Sequence, residues 1–189
     1  MNDRTEGGAP VWRIVGWGGA TLLLLLPAAA MQLTSEVVWT GSDFLIFGMM
    51  LSLAGLAMEC ALRASPDNRY RFAALAAVGG AFLLVWVNLA VGFLGDEDNP
   101  ANLMFAAVLA VGLVGAILAR LEPLAMAKAM FGTAAAQLIA GLVALFGRLG
   151  SPGFQGIYEA VMGTTLFSAI WLTSALLFRK SADHLAQPE

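Results

Sequence analysis

The chain has 189 residues, 59% hydrophobic and only 12% charged, with a mean hydropathy of +0.78 and a net charge of −3. Soluble domains carry about a quarter charged residues, so this composition excludes an ordinary soluble domain and reads as an all-α, polytopic transmembrane helical bundle. The single Cys60 excludes an internal disulfide or a Cys-x-x-Cys site, and the single His184 leaves no histidine pair for haem or a histidine-rich metal centre.

Residues 1–10 are polar and Gly-rich and are expected to be disordered. The first apolar run covers 11–31, about the twenty residues that span a bilayer core. Arg4 and Arg13, then Leu22–Leu26 and Pro27-Ala28-Ala29-Ala30, also fit a signal peptide with an Ala-x-Ala cleavage site. A retained helix is preferred; cleavage would leave five spans instead of six. A polar connection follows, carrying Glu36, Trp39 and Asp43. The second run, 44–63, ends at Arg63. Pro66, Asp67 and Asn68 mark a turn among Arg63, Arg69 and Arg71.

The third run, 71–94, contains Asn88 and leads into the acids Asp96, Glu97 and Asp98. The fourth, 100–119, opens with Asn99-Pro100-Ala101-Asn102 and stops at Arg120. The fifth, 124–146, contains Gln137. A Gly/Pro loop follows, then the sixth run, 157–178, with Glu159 near its start. A polar tail covers 181–189. The whole reads as a single transmembrane domain, and no repeat relates its two halves.

Numbering the two sides alternately from the N-terminus puts nine of the ten Lys/Arg on one side and only Arg148 on the other. By the positive-inside tendency both termini are cytoplasmic, and adding or dropping one interior span would scatter these residues. Glu36, Asp43, the triple acid and Glu159 then face outside.

Asn99-Pro100-Ala101 resembles the Asn-Pro-Ala motif of aquaporins, but there is one copy and it sits in a loop. Asn99 as N-cap with Pro100 at the first helical position is the better account. The acids would then sit at the positive end of the fourth helix's dipole. Ca²⁺ ligation is the rival use of this carboxylate and amide set, although the spacing is not that of an EF-hand and metal binding stays open. Asn88 lies about two turns inside the external boundary, with Gly92 and Gly95 following on its face. An interhelical hydrogen bond is preferred there over a polar cavity lining. Glu59 is the one acid well inside a span, and Arg63 one turn on gives the favourable i, i+4 order for an ion pair. Gln137, with Thr164, Thr165 and Ser168, marks a weakly polar inner surface. Asn88, Asp96, Glu97, Asp98, Asn99, Asn102 and Glu159 together form the candidate polar site at the external face.

The stretch Asn88-Leu-Ala-Val-Gly, then Glu97-Asp-Asn-Pro-Ala-Asn-Leu-Met, continuing through Gly112-Leu-Val-Gly115-Ala to Arg120, resembles a family of small uncharacterised bacterial inner-membrane proteins. That resemblance covers about a fifth of the chain and implies a multi-pass inner-membrane location and no particular activity.

The pattern contains no P-loop, Gly-x-Ser-x-Gly or His-Glu-x-x-His, and calls for no cofactor and no nucleic acid. The expected partners are the lipid bilayer and other membrane subunits or a second copy. The functional expectation is a non-enzymatic bundle without catalytic residues: a small permease or ion-handling protein, or an accessory subunit of a membrane complex. The alternative is an intramembrane enzyme acting on lipid at the external interface through the outer carboxylates.

Overall fold

The computed structural model describes residues 11–186. The expectations for residues 1–10 and for the last three residues lie outside that range. Six helices account for most of the described chain: α1 (Val11–Leu33), α2 (Gly41–Ala64), α3 (Asn68–Ala90), α4 (Leu103–Ala119), α5 (Pro123–Gly147) and α6 (Phe154–Leu185). With the 3-10 turn Pro100–Asn102 added to α4, all six are long and apolar enough to cross a bilayer. The protein is a polytopic all-α membrane protein. Its contacts separate it into two compact units, Met1–Ala57 and Met58–Glu189, where the sequence reads as one domain.

In the first unit, α1 and the beginning of α2 form an antiparallel hairpin. The Trp17 ring lies over Gly55, and Leu24 over Gly48. Moving seven residues along each helix, in opposite directions, connects the two contacts, so one register serves both. α2 starts three residues earlier than its apolar run because Thr40 and Asp43 cap each other. The Thr40 N–H and hydroxyl donate to Asp43 Oδ2 at 2.7 and 2.8 Å, and the Asp43 N–H donates back to Thr40 Oγ1 at 3.4 Å. Two orphan helix-end donors are satisfied in one exchange.

In the second unit, α5 packs along α6, α4 packs on α5, and α3 packs on α6. Small residues let the axes approach: Ala134, Ala140, Gly141 and Ala144 on α5 are buried. Without a hydrophobic drive inside lipid, close packing and hydrogen bonds between helices carry the association. Ser174 Oγ donates to the Ala73 carbonyl at 2.8 Å, joining α6 to α3. At the Arg-rich end, the α4–α5 turn holds Arg120 and Leu121 at φ 48° and 64°, a left-handed conformation that costs ordinary residues energy. The Tyr70 hydroxyl donates to the Leu121 carbonyl at 2.8 Å and pins that turn to α3.

The end of α3 and both ends of α6 also differ from the sequence expectation. α3 stops at Ala90, not at residue 94, because Gly92 turns to φ +75°. α6 begins at Phe154 and continues to Leu185, since nothing in Arg179–His184 breaks a helix, so most of the polar tail is its last turns. At 32 residues α6 is about 48 Å long and outruns the ~30 Å hydrocarbon core.

Candidate functional site at the acidic end

α3 and α4 are consecutive in the chain but lie on opposite partners, α6 and α5, and touch each other little. The segment between them therefore has to cross the ends of α5 and α6. It does so as a folded loop with few regular hydrogen bonds, and its backbone polar groups need other partners.

Three side chains supply them. Asn102, 9% exposed, aims its carboxamide back into the loop. Its Oδ1 accepts the N–H groups of Phe93 at 3.2 Å and Leu94 at 2.9 Å, and its Nδ2 donates to the carbonyls of Leu94 at 3.4 Å and Asp96 at 2.8 Å. Asn99 caps the 3-10 turn through Oδ1, which accepts the Ala101 N–H at 3.0 Å. Its Nδ2 donates to Leu94 O at 2.9 Å and to Leu149 O, in the α5–α6 loop, at 2.7 Å. Glu159 closes the set from α6. Its Oε2 accepts the N–H groups of Gly95 at 2.9 Å and Ser151 at 3.1 Å, and its Oε1 accepts the Ser151 hydroxyl at 2.6 Å.

The loop's apolar residues turn the other way. Phe93 and Leu94 are buried although they are not helical. The Phe93 ring sits 3.8 Å from that of Phe105 on α4 and 5.7 Å from that of Phe167 on α6, centroid to centroid. Gly163 gives it room: a methyl there would overlap the ring. Gly92 and Gly95, both at positive φ, make the two reversals, and a side chain at Gly92 would overlap the Asp96 carbonyl.

The structure thus brings Asn99, Asn102 and Glu159 together and spends their polar atoms on loop backbone and the Ser151 hydroxyl. Asp96, Glu97 and Asp98 are exposed, and their carboxylates take no hydrogen bond or ion pair among the described residues. No group of three acids, histidines or cysteines able to hold a metal converges among the described residues. Asn88 stands apart from the loop network. Its Nδ2 donates to its own helix, to Leu84 O at 2.7 Å, and its buried Oδ1 has no partner among the described residues. That is a bond along the helix and not the interhelical one expected for it. A recess of about 710 Å³ at this end is lined by Ala144, Arg148, Ser151, Gly156 and Ile157, among others, and none of the acids lines it.

Two intramembrane residues complete the account. Glu59, 7% exposed, pairs with Arg63 at 2.8 Å, as the i, i+4 spacing implies. Gln137 is fully buried, and neither end of its amide has a partner among the described residues. Sequence reasoning missed Ser151 as the partner of Glu159 and Phe93 as a wedge. The Gly92-Phe93-Leu94-Gly95 pattern, two large apolar residues between two glycines, was the available signal for the second.

Comparison with known proteins finds no family model, no curated protein and no solved structure that matches the chain.

Proposed function

We propose that the chain is a non-catalytic multi-pass protein of a bacterial inner membrane, acting as an accessory subunit within a membrane complex. The observation that carries this reading is α1. Within the first unit no described side chain of α1 is buried, and Gly16, Gly18 and Gly19 meet nothing of that unit within 4 Å. Gly16 and Gly19 are three apart and share a helix face, the kind of small-residue surface on which membrane helices approach closely. At the acidic end Glu159 is engaged with loop backbone, which fits a structural acceptor.

The Arg-rich end is assigned to the cytoplasm with both termini, on the nine-to-one Lys/Arg distribution. Reporter fusions at Asn68 and after Asp98 test this: the first should read cytoplasmic and the second external. The accessory role is tested by in-membrane crosslinking from Gly16→Cys and Gly19→Cys, made in a Cys60→Ser background and read by mass spectrometry. A discrete crosslinked partner, abolished by Gly19→Leu, supports it. A second copy of this chain as the only adduct makes the protein a homo-oligomer, and adducts to lipid alone overturn the reading. A second reading, a small permease, is favoured by one observation only, the unpaired amide of Gln137.

A further inference from the structure

Gln137 lies 14 residues into α5 and ten before its end, so it sits about 15–21 Å from either terminus of the helix, near the bilayer centre. The helix that faces it is known from a close contact. A methyl at Gly141 would overlap the Thr164 side chain, so those two residues are at one level of the antiparallel α5–α6 pair. One turn back along α5 is Gln137, and one turn on along α6 is Ser168, with Trp171 beyond it. Thr164 Oγ1, Ser168 Oγ, Trp171 Nε1 and both amide atoms of Gln137 are buried, and none has a hydrogen-bond partner among the described residues.

Several hydroxyls on these helices do find a partner, as Thr164 and Ser168 do not. Thr21, Ser52 and Thr133 donate to the carbonyl four residues earlier, and Ser174 donates across to α3. Thr164 and Ser168 do neither. A buried donor or acceptor left without a partner costs about 1–3 kcal/mol, and more in hydrocarbon. Five such atoms within two turns of one helix pair together make a partner for them strongly favourable. The set offers donors and acceptors in similar number: an amide NH₂, an indole N–H and two hydroxyls against an amide oxygen and the hydroxyl lone pairs. Neither Gln137, Thr164, Ser168 nor Trp171 carries a charge, so the seam has nothing to neutralise an ion at a depth where ions are costly.

We infer that the α5–α6 seam of Gln137, Thr164, Ser168 and Trp171 is a binding site for a neutral hydrogen-bonding ligand, either water or a small alcohol or amide. From Thr164 to Trp171 the seam runs about 10 Å along the helix axis. That length matches a short file of waters or one small solute. The inference goes beyond the accessory role and does not depend on it.

The test is X-ray hydroxyl-radical labelling of the purified protein in nanodiscs, read at Trp171 by mass spectrometry. Trp171 is 2% exposed, so labelling reports radicals made from water held beside it. The parent should label there within the exposure, and Gln137→Leu and Ser168→Ala should each lose that labelling several-fold while remaining monodisperse. Ser168→Ala keeps the experiment decisive if the leucine variant does not fold. Proteoliposomes then separate the sources. Glycerol or urea entry above that of empty vesicles, lost in Ser168→Ala, assigns a small solute; no entry assigns water alone. Absence of labelling at Trp171 in the parent, or equal labelling in the parent and both variants, overturns the site.

Discussion

Glu159 on α6 accepts the backbone N–H of Gly95 at 2.9 Å, across 64 residues of chain. The same oxygen accepts from Ser151, so one carboxylate fastens the loop that leaves α3 to the loop that enters α6. The need for it follows from topology. A segment that must cross two helix ends cannot pair its backbone regularly, and an ionised acceptor is the strongest single substitute.

Replacing Glu159 by Ala should therefore lower stability by about 1.5–3 kcal/mol, the range for hydrogen bonds to a charged group. Glu159→Gln keeps one acceptor oxygen and should lose less. Denaturant unfolding in micelles measures both. The same geometry makes a claim about cations. The melting temperature of the parent should not respond to Ca²⁺ or Mg²⁺ at constant ionic strength. A rise that Asp98→Asn removes would restore the acidic turn as a cation site.

The two asparagines should behave unequally. Asn102 uses both ends of its carboxamide on four loop backbone groups, so Asn102→Ala leaves several buried groups unpaired. Asn88 makes one bond, to its own helix, and leaves Oδ1 unpaired. Asn88→Leu removes that orphan with little change in volume, and should be neutral or mildly stabilising. A thermal scan in which Asn88→Leu costs more than Asn102→Ala would reverse the assignment.

What the sequence made legible follows from which signals are local. Six spans, the Asn99-Pro100 cap and the Glu59–Arg63 pair each depend on residues close together in the chain, and each is found. The site was legible only in part. Asn99, Asn102 and Glu159 were singled out for polarity near one boundary, but their use depends on which helices are neighbours. Because α3 lies on α6 and α4 on α5, the intervening loop crosses the bundle end and consumes those side chains. No spacing rule encodes that order. The run ending at residue 94 misled for a related reason: Phe93 and Leu94 are apolar because they are buried by tertiary packing, not because the helix continues.

Acid should act at Asp67, which caps α3 just outside the span. The Ser181 hydroxyl beside it holds its carboxyl below the ordinary value of 3.8, against an opposing effect of burial; the Arg69 N–H and the charges of Arg69 and His184 lower it further. The alignment with Ser181 is poor, since Asp67 Oδ2 and Ser181 Oγ both lie buried without a well-formed bond, whereas the Arg69 N–H reaches Oδ1 at 3.1 Å. A carboxyl with a folded pKa below its unfolded one contributes stability above the unfolded value and loses it as pH falls through the folded one. Melting temperature should therefore drop below about pH 4. Asp67→Asn should flatten that arm, and an unchanged acid arm in the variant would show that other carboxylates carry it.

Glycines test the packing most directly, because the same substitution has opposite consequences at neighbouring positions. Gly79 and Gly80 are both interior to α3. A methyl at Gly79 meets nothing within 4 Å, so Gly79→Ala should be neutral or stabilise by up to about 1 kcal/mol through helix propensity. A methyl at Gly80 would come within 2.7 Å of Ile170 Cγ2 and 3.1 Å of the Trp171 ring, so Gly80→Ala should destabilise by pushing α3 off α6. Gly163 extends the argument to the loop. Its missing side chain is the space the Phe93 ring fills, and Phe105 and Phe167 leave that ring little room to retreat. Gly163→Ala should cost about 1–3 kcal/mol as overpacking. Phe93→Leu alone should also destabilise, by leaving a cavity between Phe105 and Phe167. Combined, the two changes should cost less than the sum of the single losses, because the smaller leucine makes room for the added methyl. Strict additivity in the double-mutant cycle would mean that Phe93 and Gly163 are not in contact, and that the loop crosses the bundle end by another path.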